Sequence, residues 1–406
     1  MPTFIAEVRD IQGKAKKEKV EATSPEQARV ILQNRYASVG KIKKALSLDI
    51  DWEALNASVS NITIKDKAVF SRQFAAMVNA GVALVRCLGV LTEQCPNPKL
   101  KKALIAISKE VQEGTNLSEA MRKHPKCFDT LYISMVQAGE VGGVLDEVLN
   151  RLAKLLEDMS RLKNQIKSAL AYPVVVGILA ILVFFGMTIF LIPIFAAIFK
   201  DLGTELPPLT EFMLGISATL RDPVRMSMVF AIIVGTVFGI RAYYKTTMGR
   251  VQIDRFLLKM PLFGDLNEKA AVARFCRIFG TLTRSGVPIL QSLDIVRDTS
   301  GNQVIANAVE AAKFEIQNGG MISLALQKEQ VFPLLAIQMM SIGEETGELD
   351  SMMMKVADFY EDEVEQAVKA LTSIIEPLMM VVLAFMVGTI LLSMYLPLFK
   401  VFDSIG

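Results

Sequence analysis

Few residues in this sequence could perform catalysis. It contains one histidine, His124, which precedes Pro125 in a charged segment, and four cysteines without a C-x-x-C pair. A cysteine nucleophile needs a base and an orienting acid, and neither is evident around His124. Phosphate-loop, dinucleotide-binding, zinc-protease and serine-hydrolase motifs are absent from the sequence. We therefore expect no catalytic residue, no cofactor and no metal ligand, and we expect reduced thiols in a cytosolic setting.

A glycine–carboxylate element, G-E-x-x-G-x-L-D, occurs twice and is the main candidate for a functional site. Its candidate residues are Gly139, Glu140, Gly143 and Asp146 in the first copy and Gly343, Glu344, Gly347 and Asp350 in the second. The glycines predict a turn between helices, the carboxylate a cap on the next helix, and the leucine a packing contact. The alternative is a functional role, in which the carboxylates dock a partner or hold a hard divalent cation.

Seven further residues complete the candidate set, of which Pro173 and Pro377 are treated with the membrane spans below. Arg72 and Arg277 recur beside phenylalanines on a core-facing helix, and we expect each to form an ion pair with the glutamate of its element. Gly81 and Gly286 follow apolar stripes and predict helix ends. Glu376 stands at the entry of an apolar stretch, where it is either a helix N-terminal charge or a contact for another membrane helix.

These candidates are duplicated because the chain repeats itself at a spacing of about 205 residues. The segment Phe70-Ser-Arg-Gln-Phe aligns with Phe275-Cys-Arg-Ile-Phe, and glycines, prolines and charges stay in register through Pro173 and Pro377 as far as Pro193 and Pro397. Apolar residues within each copy recur at helical spacing, and strand signals are lacking there. Each copy is therefore predicted to be a bundle of roughly six helices.

Three uncharged stretches predict membrane spans. Those that follow Lys167 and Glu376 exceed the ~20 residues needed to cross a bilayer core, whereas 226–240 is shorter and has a buried soluble helix as its alternative. Both copies run from a soluble domain into a membrane helix predicted to begin at Pro173 or Pro377. Both copies must start on the same side of the membrane, so the chain has to cross back once between them. The stretch 226–240 is the candidate for this return crossing. The prolines bracketing each repeated span predict kinks or ends.

The distribution of charge predicts which segments lie on each side of the membrane. Lys and Arg accumulate before the first span and after the second, whereas acidic residues balance them in the intervening connection. The positive-inside tendency places the N-terminus and the middle segment in the cytoplasm and the 200–225 connection outside, and the third span then places the C-terminus outside as well. Hydrophobic residues make up 52% of the chain, and the formal net charge of +2 gives no reason to expect a nucleic-acid partner.

The first residues differ from the rest. Phe4–Arg9 alternates like a strand, Asp10–Gly13 predicts a turn, Lys19–Ala22 a second strand, and Ser24 caps a helix reaching to about Leu46. The predicted fold class is an all-α polytopic membrane protein with two repeated cytoplasmic helical bundles, three transmembrane helices and a small α/β N-terminal module. The predicted divisions are the module 1–48, a linker 49–61, repeat one 62–171, span one 172–199, a periplasmic connection 200–223, span two 224–244, repeat two 245–375, span three 376–399 and a periplasmic tail 400–406.

Taken together, these features resemble the inner-membrane platform proteins of type IV pilus and type II secretion machines. The resemblance rests on the opening Phe4–Leu32 region, Arg72 to Val82, both glycine–carboxylate elements, the prolines at 173 and 377, and Glu205–Thr210. It implies a non-enzymatic platform in the bacterial inner membrane that acts as a homo-oligomer, a dimer or higher. Its implied partners are a hexameric cytosolic assembly ATPase, a retraction ATPase where one exists, pilin or pseudopilin subunits, and inner-membrane alignment proteins.

Three alternatives to a pilus platform stay open from the residues. The first is a type II secretion platform acting on pseudopilins. The second is a transporter or channel, which would need a polar path that the predicted spans lack, since they contain no ionisable residue. The third is a membrane enzyme, which the absence of a nucleophile–base pair disfavours.

Overall fold

The computed structural model describes residues 3–9, 15–22, 24–33, 38–44, 61–201 and 206–405. The chain divides into two compact units. The first consists of Met1–Asn61 with Pro96–Lys102, and the second consists of Ile62–Cys95 with Ala103–Gly406. The N-terminal module thus belongs to the smaller unit, while most of both repeats and all three apolar helices belong to the larger one.

The N-terminal module is a three-stranded antiparallel sheet with one helix. Its elements are β1 (Thr3–Arg9), β2 (Ala15–Glu21), α1 (Pro25–Gln33) and β3 (Ser38–Lys44), with strand order β2-β1-β3. Ala6, Val8 and Leu32 form its buried core. Ser24 Oγ accepts a hydrogen bond from Gln27 N, as its predicted N-cap role requires.

Two predictions for this module are wrong in detail. The helix does not reach Leu46 but ends at Gln33, and the strand β3 follows it. The second strand begins at Ala15 rather than at Lys19. Pairing with β1 determines both strands: Phe4 of β1 lies opposite Val20 of β2 on one side and opposite Lys44 of β3 on the other. The predicted turn 10–13 and nearly all of the predicted linker 49–61 lie outside the described residues.

Helices predominate among the residues described from position 61 onward, and the two copies have the same helix order. The first copy contains α2 (Ile64–Asn79), α3 (Leu84–Gln94), α4 (Pro98–Gln112), α5 (Leu117–Arg122), α6 (Thr130–Gly142) and α7 (Leu145–Asp201). Three helices follow: α8 (Pro208–Arg221), α9 (Pro223–Tyr244) and α10 (Thr247–Lys259). The second copy contains α11 (Gly264–Arg284), α12 (Ile289–Thr299), α13 (Gln303–Gln317), α14 (Ile322–Lys328), α15 (Leu334–Thr346) and α16 (Leu349–Ile405). Six helices in each copy confirm the predicted bundle.

The same aromatic contact anchors each bundle. The ring centroid of Phe70 on α2 lies 5.9 Å from that of Phe128, and its repeat equivalent, Phe275 on α11, lies 4.7 Å from Phe332. All four rings are buried. In the first copy Tyr132 joins this cluster, and its hydroxyl lies 3.0 Å from Ser71 Oγ. A repeated sequence thus produces a repeated core, because the same apolar positions meet in both copies.

The long helices α7 and α16 run from the bundles into the apolar segments without a break. Pro173 and Pro193 lie inside α7, and Pro377 and Pro397 lie inside α16. The prediction that a separate membrane helix begins at Pro173 or Pro377 is therefore wrong, and these prolines are not helix ends. Each proline removes one intrahelical hydrogen bond, and both helices nevertheless continue past it.

Three helices are long and apolar enough to cross a membrane: Leu145–Phe199, Pro223–Tyr244 and Leu349–Pro397. The weak 226–240 stretch is thus part of a helix of spanning length. The connection after α7 contains α8, which the sequence patterns did not predict. Thr210 Oγ1 of α8 donates to Ser393 O of α16 at 2.8 Å, and Met213 packs with Ile192 and Ile390. These contacts tie the connection to the ends of both repeated spans.

Candidate functional site

The repeated glutamates Glu140 and Glu344 are internal caps on short helices. Glu140, on the last turn of α6, accepts hydrogen bonds from Leu117 N at 2.6 Å, from Ser118 N at 3.1 Å and from the Ser118 hydroxyl. Glu344 on α15 accepts the equivalent bonds from Ile322 N and Ser323 N of α14. Each carboxylate thus caps a helix N-terminus, where negative charge is favourable.

The cap is made on a different helix from the one expected. The prediction assigned the carboxylate to the next helix, but it binds the short helix that precedes it, α5 or α14. The donors lie 21 to 23 residues before the glutamate in the chain. The antiparallel return of α6 past α5 brings them together. Local sequence therefore identified the right chemistry and the wrong partner.

The glycines of the element have two separate roles. Gly143 and Gly347 end α6 and α15 with φ of 67° and 76°, so the predicted turn is confirmed. Gly139 allows α6 to lie close to α7, and Gly343 allows α15 to lie close to α16. A Cβ built at Gly139 would lie 3.1 Å from Leu145 Cα, and one at Gly343 would lie 2.8 Å from Leu349 Cα. The turn and the close approach together fix the angle at which each long helix leaves its bundle.

A cation-binding role for the element has no support in the described structure. Both carboxylate oxygens of Glu140 and of Glu344 already accept hydrogen bonds from protein groups. Asp146 and Asp350 lie in the first turns of α7 and α16, where acidic residues favour the helix dipole. Among the described residues, no group of three or more His, Cys, Asp or Glu side chains is placed to hold a metal ion.

Arg72 and Arg277 form ion pairs, but not with the glutamates that were predicted. Arg72 binds Glu157, with Nε 2.7 Å from Oε1. Arg277 binds two carboxylates, with Nη2 2.6 Å from Asp358 Oδ1 and Nε 2.8 Å from Glu361 Oε1. The prediction of a pair with Glu140 or Glu344 is therefore wrong, since those carboxylates are used as caps and the arginines face the long helices instead.

The two arginine pairs differ in burial. The side chain of Arg277 is 5% exposed, whereas that of Arg72 is 45% exposed. Burial by itself lowers the pKa of the Arg277 guanidinium, but its hydrogen bonds to Glu361 and Asp358 outweigh burial and raise the pKa above its ordinary value. The hydrogen bond from Arg72 lowers the pKa of Glu157. The second copy thus holds the more deeply buried arginine.

A charged seam runs between α7 and the second copy. Arg151 Nη1 donates to Arg284 O at 2.6 Å, and Gln165 Nε2 donates to Glu365 Oε2 at 3.3 Å. Two cavities of about 360 and 280 Å³ lie along the seam, and Asp158 lines both. Burial is the main reason that the pKa of Asp158 is raised, and the charge of Glu361 adds to it, while Arg277 opposes both.

The sequence predictions missed the residues of this seam, although a signal for them exists. At the repeat spacing Glu157 aligns with Glu361, so the carboxylate partner recurs like its arginine. Lys154 aligns with Asp358 and Arg161 with Glu365, so the two copies carry opposite charges where α7 and α16 face each other. Such a reversal between copies is typical of surfaces that bind one another.

The remaining candidate residues are not brought into this seam. Gly81 and Gly286, with φ of 75° and 79°, form the predicted turns after α2 and α11. In each turn the next residue donates to a carbonyl five positions back, Val82 to Met77 and Val287 to Leu282, as in a Schellman motif. Glu376 is exposed inside α16, next to Pro377. It does not start a helix, so the helix N-terminal role predicted for it is wrong.

The contacts described above connect each bundle to its long helix. Caps, close glycine contacts and ion pairs hold each bundle to a long helix, and that helix enters an apolar segment without a loop. The thiols of Cys87, Cys127 and Cys276 are buried.

Known proteins share both the repeat and the N-terminal module. The family described as type II secretion system protein F matches residues 70–193 and again 275–397, and the N-terminal domain of the same family matches residues 1–43. The two matches coincide with the two copies found in the sequence. They cover more than half of the chain.

Full-length relatives carry two kinds of name. A type IV pilus assembly protein PilC of Thermus thermophilus is 43% identical over 410 residues, which cover all of both chains. A protein of the same name from Myxococcus xanthus is 39% identical over 402 residues, 99% of this chain and 95% of that one. A type II secretion system protein F of Pseudomonas aeruginosa is 28% identical over 398 residues, 98% of each. The chain therefore belongs to the type II secretion system protein F family, as a member with three helices of membrane-spanning character and the family domain present twice.

Proposed function

We propose that this protein is the inner-membrane platform of a type IV pilus assembly machine. The observation that carries the proposal is the similarity over the whole chain, 43% and 39%, to proteins named for pilus assembly, against 28% to one named for type II secretion. The platform is non-enzymatic and oligomeric. A type II secretion platform acting on pseudopilins is the second candidate, because a relative of that name is also matched over nearly its full length.

The proposed topology follows the distribution of charge. The N-terminal module and both bundles face the cytoplasm, and the α8 connection and the C-terminus face the periplasm. In this arrangement a hexameric cytosolic ATPase, for assembly or retraction, docks on the bundles. Pilin subunits contact the spans, and alignment proteins surround the platform. The continuity of α7 and α16 supports this coupling, because each links a cytoplasmic bundle to a span as one helix.

The first test is a chromosomal deletion with complementation, scored for surface pili and, separately, for type II secretion. We expect the deletion strain to lack pili and the complemented strain to regain them, with secretion unchanged. A deletion strain that keeps its pili would refute the proposal. Loss of secretion with intact pili would instead support the second candidate.

The coupling mechanism has its own test. Two glycines inserted after Lys167 interrupt α7 between bundle and span, because glycine weakens a helix interior and two residues rotate the span relative to the bundle by about 200°. We expect this variant to reach the membrane and to co-purify with the ATPase, but to assemble no pili. The matched control has the same insertion after Asn56, between the N-terminal module and the first bundle, and we expect it to assemble pili. Normal piliation with the α7 insertion would refute coupling through that helix.

A further inference from the structure

A cavity of about 480 Å³ between the two copies contains a cation without a counter-charge. Arg274 on α11 lines this cavity. Within the part of the chain that the structure describes, no carboxylate lies within the 4.0 Å ion-pair distance of its guanidinium. Burial lowers the pKa of Arg274, and no neighbouring charge offsets this effect. A half-buried guanidinium without a counter-charge is costly, so the site is suited to an anion.

Arg274 has no equivalent in the first copy. At the repeat spacing it aligns with Val69, whereas its neighbour Arg277 aligns with Arg72. The paired arginine therefore belongs to the repeated fold, and the unpaired one does not. Structural duplication gives no reason for a charge at position 274, which directs attention to the ligand that the cavity could bind.

The other cations of the cavity come from one face of α7. Lys163 and Lys167 are exposed, lie one turn apart and, in the described chain, have no ion pair. The one carboxylate that lines the cavity is that of Glu361, which is already bound to Arg277 at 2.8 Å. The cavity thus has an excess of positive charge, and its free donors suit a phosphate group.

The rest of the lining is apolar. Met159, Leu162 and Ile166 follow the same face of α7, and Ala270 and Ile64 complete the wall. Leu162, Ile166 and Ala270 also pack against the buried cluster around Leu266 and Val368. The lining contains no aromatic ring and no amide, the groups with which proteins hold the base of a nucleotide. An occupant with a phosphate and an aliphatic part fits better than a soluble nucleotide.

The position along α7 identifies the source of such an occupant. Lys167 is the last charged residue before the uncharged stretch 168–199, whose 32 residues correspond to about 48 Å of helix and so cover the roughly 40–45 Å of a bilayer with its headgroup regions. The polar layer of a bilayer is roughly 5–8 Å thick on each side. The lysine side of the cavity is therefore at headgroup level, and lysine side chains at such positions extend toward the interface.

We propose that this cavity binds the headgroup of an anionic phospholipid, with the phosphate at Arg274, Lys163 and Lys167 and the upper part of an acyl chain along the α7 wall. The lipid would bridge the two copies close to the membrane and link bundle position to the leaflet. The proposal requires only that the three apolar helices cross a membrane. The proposed function enters solely in naming the leaflet as the cytoplasmic one.

The test uses the full chain in nanodiscs of phosphatidylcholine, with or without phosphatidylglycerol. Two quantities are measured: the rise in thermal midpoint caused by phosphatidylglycerol, and the amount of that lipid retained after extraction into mild detergent. We expect the wild type to show both effects. Arg274→Gln should lose the rise and retain roughly tenfold less lipid, since a direct hydrogen bond to a charged group contributes about 1.5 kcal/mol.

Two comparisons separate the cavity from a general surface effect and from misfolding. Arg241→Gln removes a charge at the exposed end of α9, away from the cavity, and should retain phosphatidylglycerol like the wild type. In pure phosphatidylcholine, Arg274→Gln should be at least as stable as the wild type, because it removes a half-buried charge that has no ion-pair partner among the described residues.

Three results would overturn the proposal. The first is equal lipid retention and an equal thermal rise in Arg274→Gln and wild type. The second is a loss in Arg241→Gln as large as that in Arg274→Gln, which would assign the effect to the surface. The third is an equal thermal rise with inorganic phosphate alone, which would make the occupant a soluble anion. None of these results depends on whether the protein assembles pili.

Discussion

Replacing Arg277 with glutamine should destabilise the second bundle much more than the same change at Arg72 destabilises the first. The two positions are equivalent by repeat, and both guanidinium groups bind carboxylates of a long helix. They differ in surroundings, since the Arg277 side chain is 5% exposed and that of Arg72 is 45% exposed. One protein therefore supplies both the buried pair and its exposed control.

The expected magnitudes follow from that difference. Removing one partner of a buried ion pair costs about 3–5 kcal/mol when the other partner stays buried. Here the carboxylates of Asp358 and Glu361 are 67% and 26% exposed, so water can partly solvate them after the change. We therefore expect a loss of about 2 kcal/mol for Arg277→Gln, below the fully buried range. For Arg72→Gln we expect about 0.5 kcal/mol, as is typical of exposed pairs.

Buried cysteines report on each bundle separately. Cys276 lies in the second bundle, and Cys87 and Cys127 lie in the first. Thiol labelling of the full chain in nanodiscs, read by peptide mass spectrometry along a temperature series, gives an unfolding midpoint for each bundle. Arg277→Gln should lower the Cys276 midpoint by about 4–8 °C and leave the Cys87 midpoint nearly unchanged. Arg72→Gln should lower the Cys87 midpoint by no more than about 2 °C.

A double-mutant cycle provides the control. Combining Arg277→Gln with Glu361→Gln should cost less than the sum of the two single changes, because the pair is then removed as a unit. Equal shifts for Arg277→Gln and Arg72→Gln, or strict additivity in the cycle, would show that burial does not determine the strength of these pairs.

Three further changes test other contacts of the site by the same labelling method. Glu344→Gln weakens the cap on α14 and should cost about 1–2 kcal/mol, because charge-assisted hydrogen bonds become neutral ones; an unchanged Cys276 midpoint would count against the cap. Gly343→Ala should lower the stability of the second bundle by about 1–3 kcal/mol, because the new Cβ would lie 2.8 Å from Leu349 Cα. Gly89→Ala, whose Cβ would meet open space, should instead stabilise α3 by about 0.5–1 kcal/mol. Equal effects of the two changes would contradict the close-approach argument. Asp158→Asn should stabilise the protein at neutral pH, because the raised pKa of Asp158 means that the folded state disfavours the charged carboxylate. This gain in stability should shrink as the pH falls through the pKa of Asp158, since the wild-type carboxyl is then neutral as well. A gain that does not vary with pH would refute this explanation.

The N-terminal module illustrates where local patterns mislead. The segment after Gln33 was predicted to continue as a helix because Ser24 and Pro25 begin one convincingly. Residues 38–44 instead pair with β1, and a strand that exists by pairing with a distant neighbour has a weak signal of its own. The position of α8 against α16 is a similar case, since Thr210 meets Ser393 only in three dimensions.

The sequence by itself determined the duplication, the helical bundles, the apolar spans and the turn glycines. All of these depend on local periodicity, local composition or self-comparison, which remain readable along the chain. Only the tertiary structure decided which groups meet. The repeat of Arg72 as Arg277 can be read from the sequence, but their partners Glu157 and Glu361 lie 85 and 84 residues further along the chain. Glu140 likewise caps a helix that precedes it in the chain. Several carboxylates on one long helix are equivalent by type, and the rotation and depth at which that helix packs against its bundle select among them.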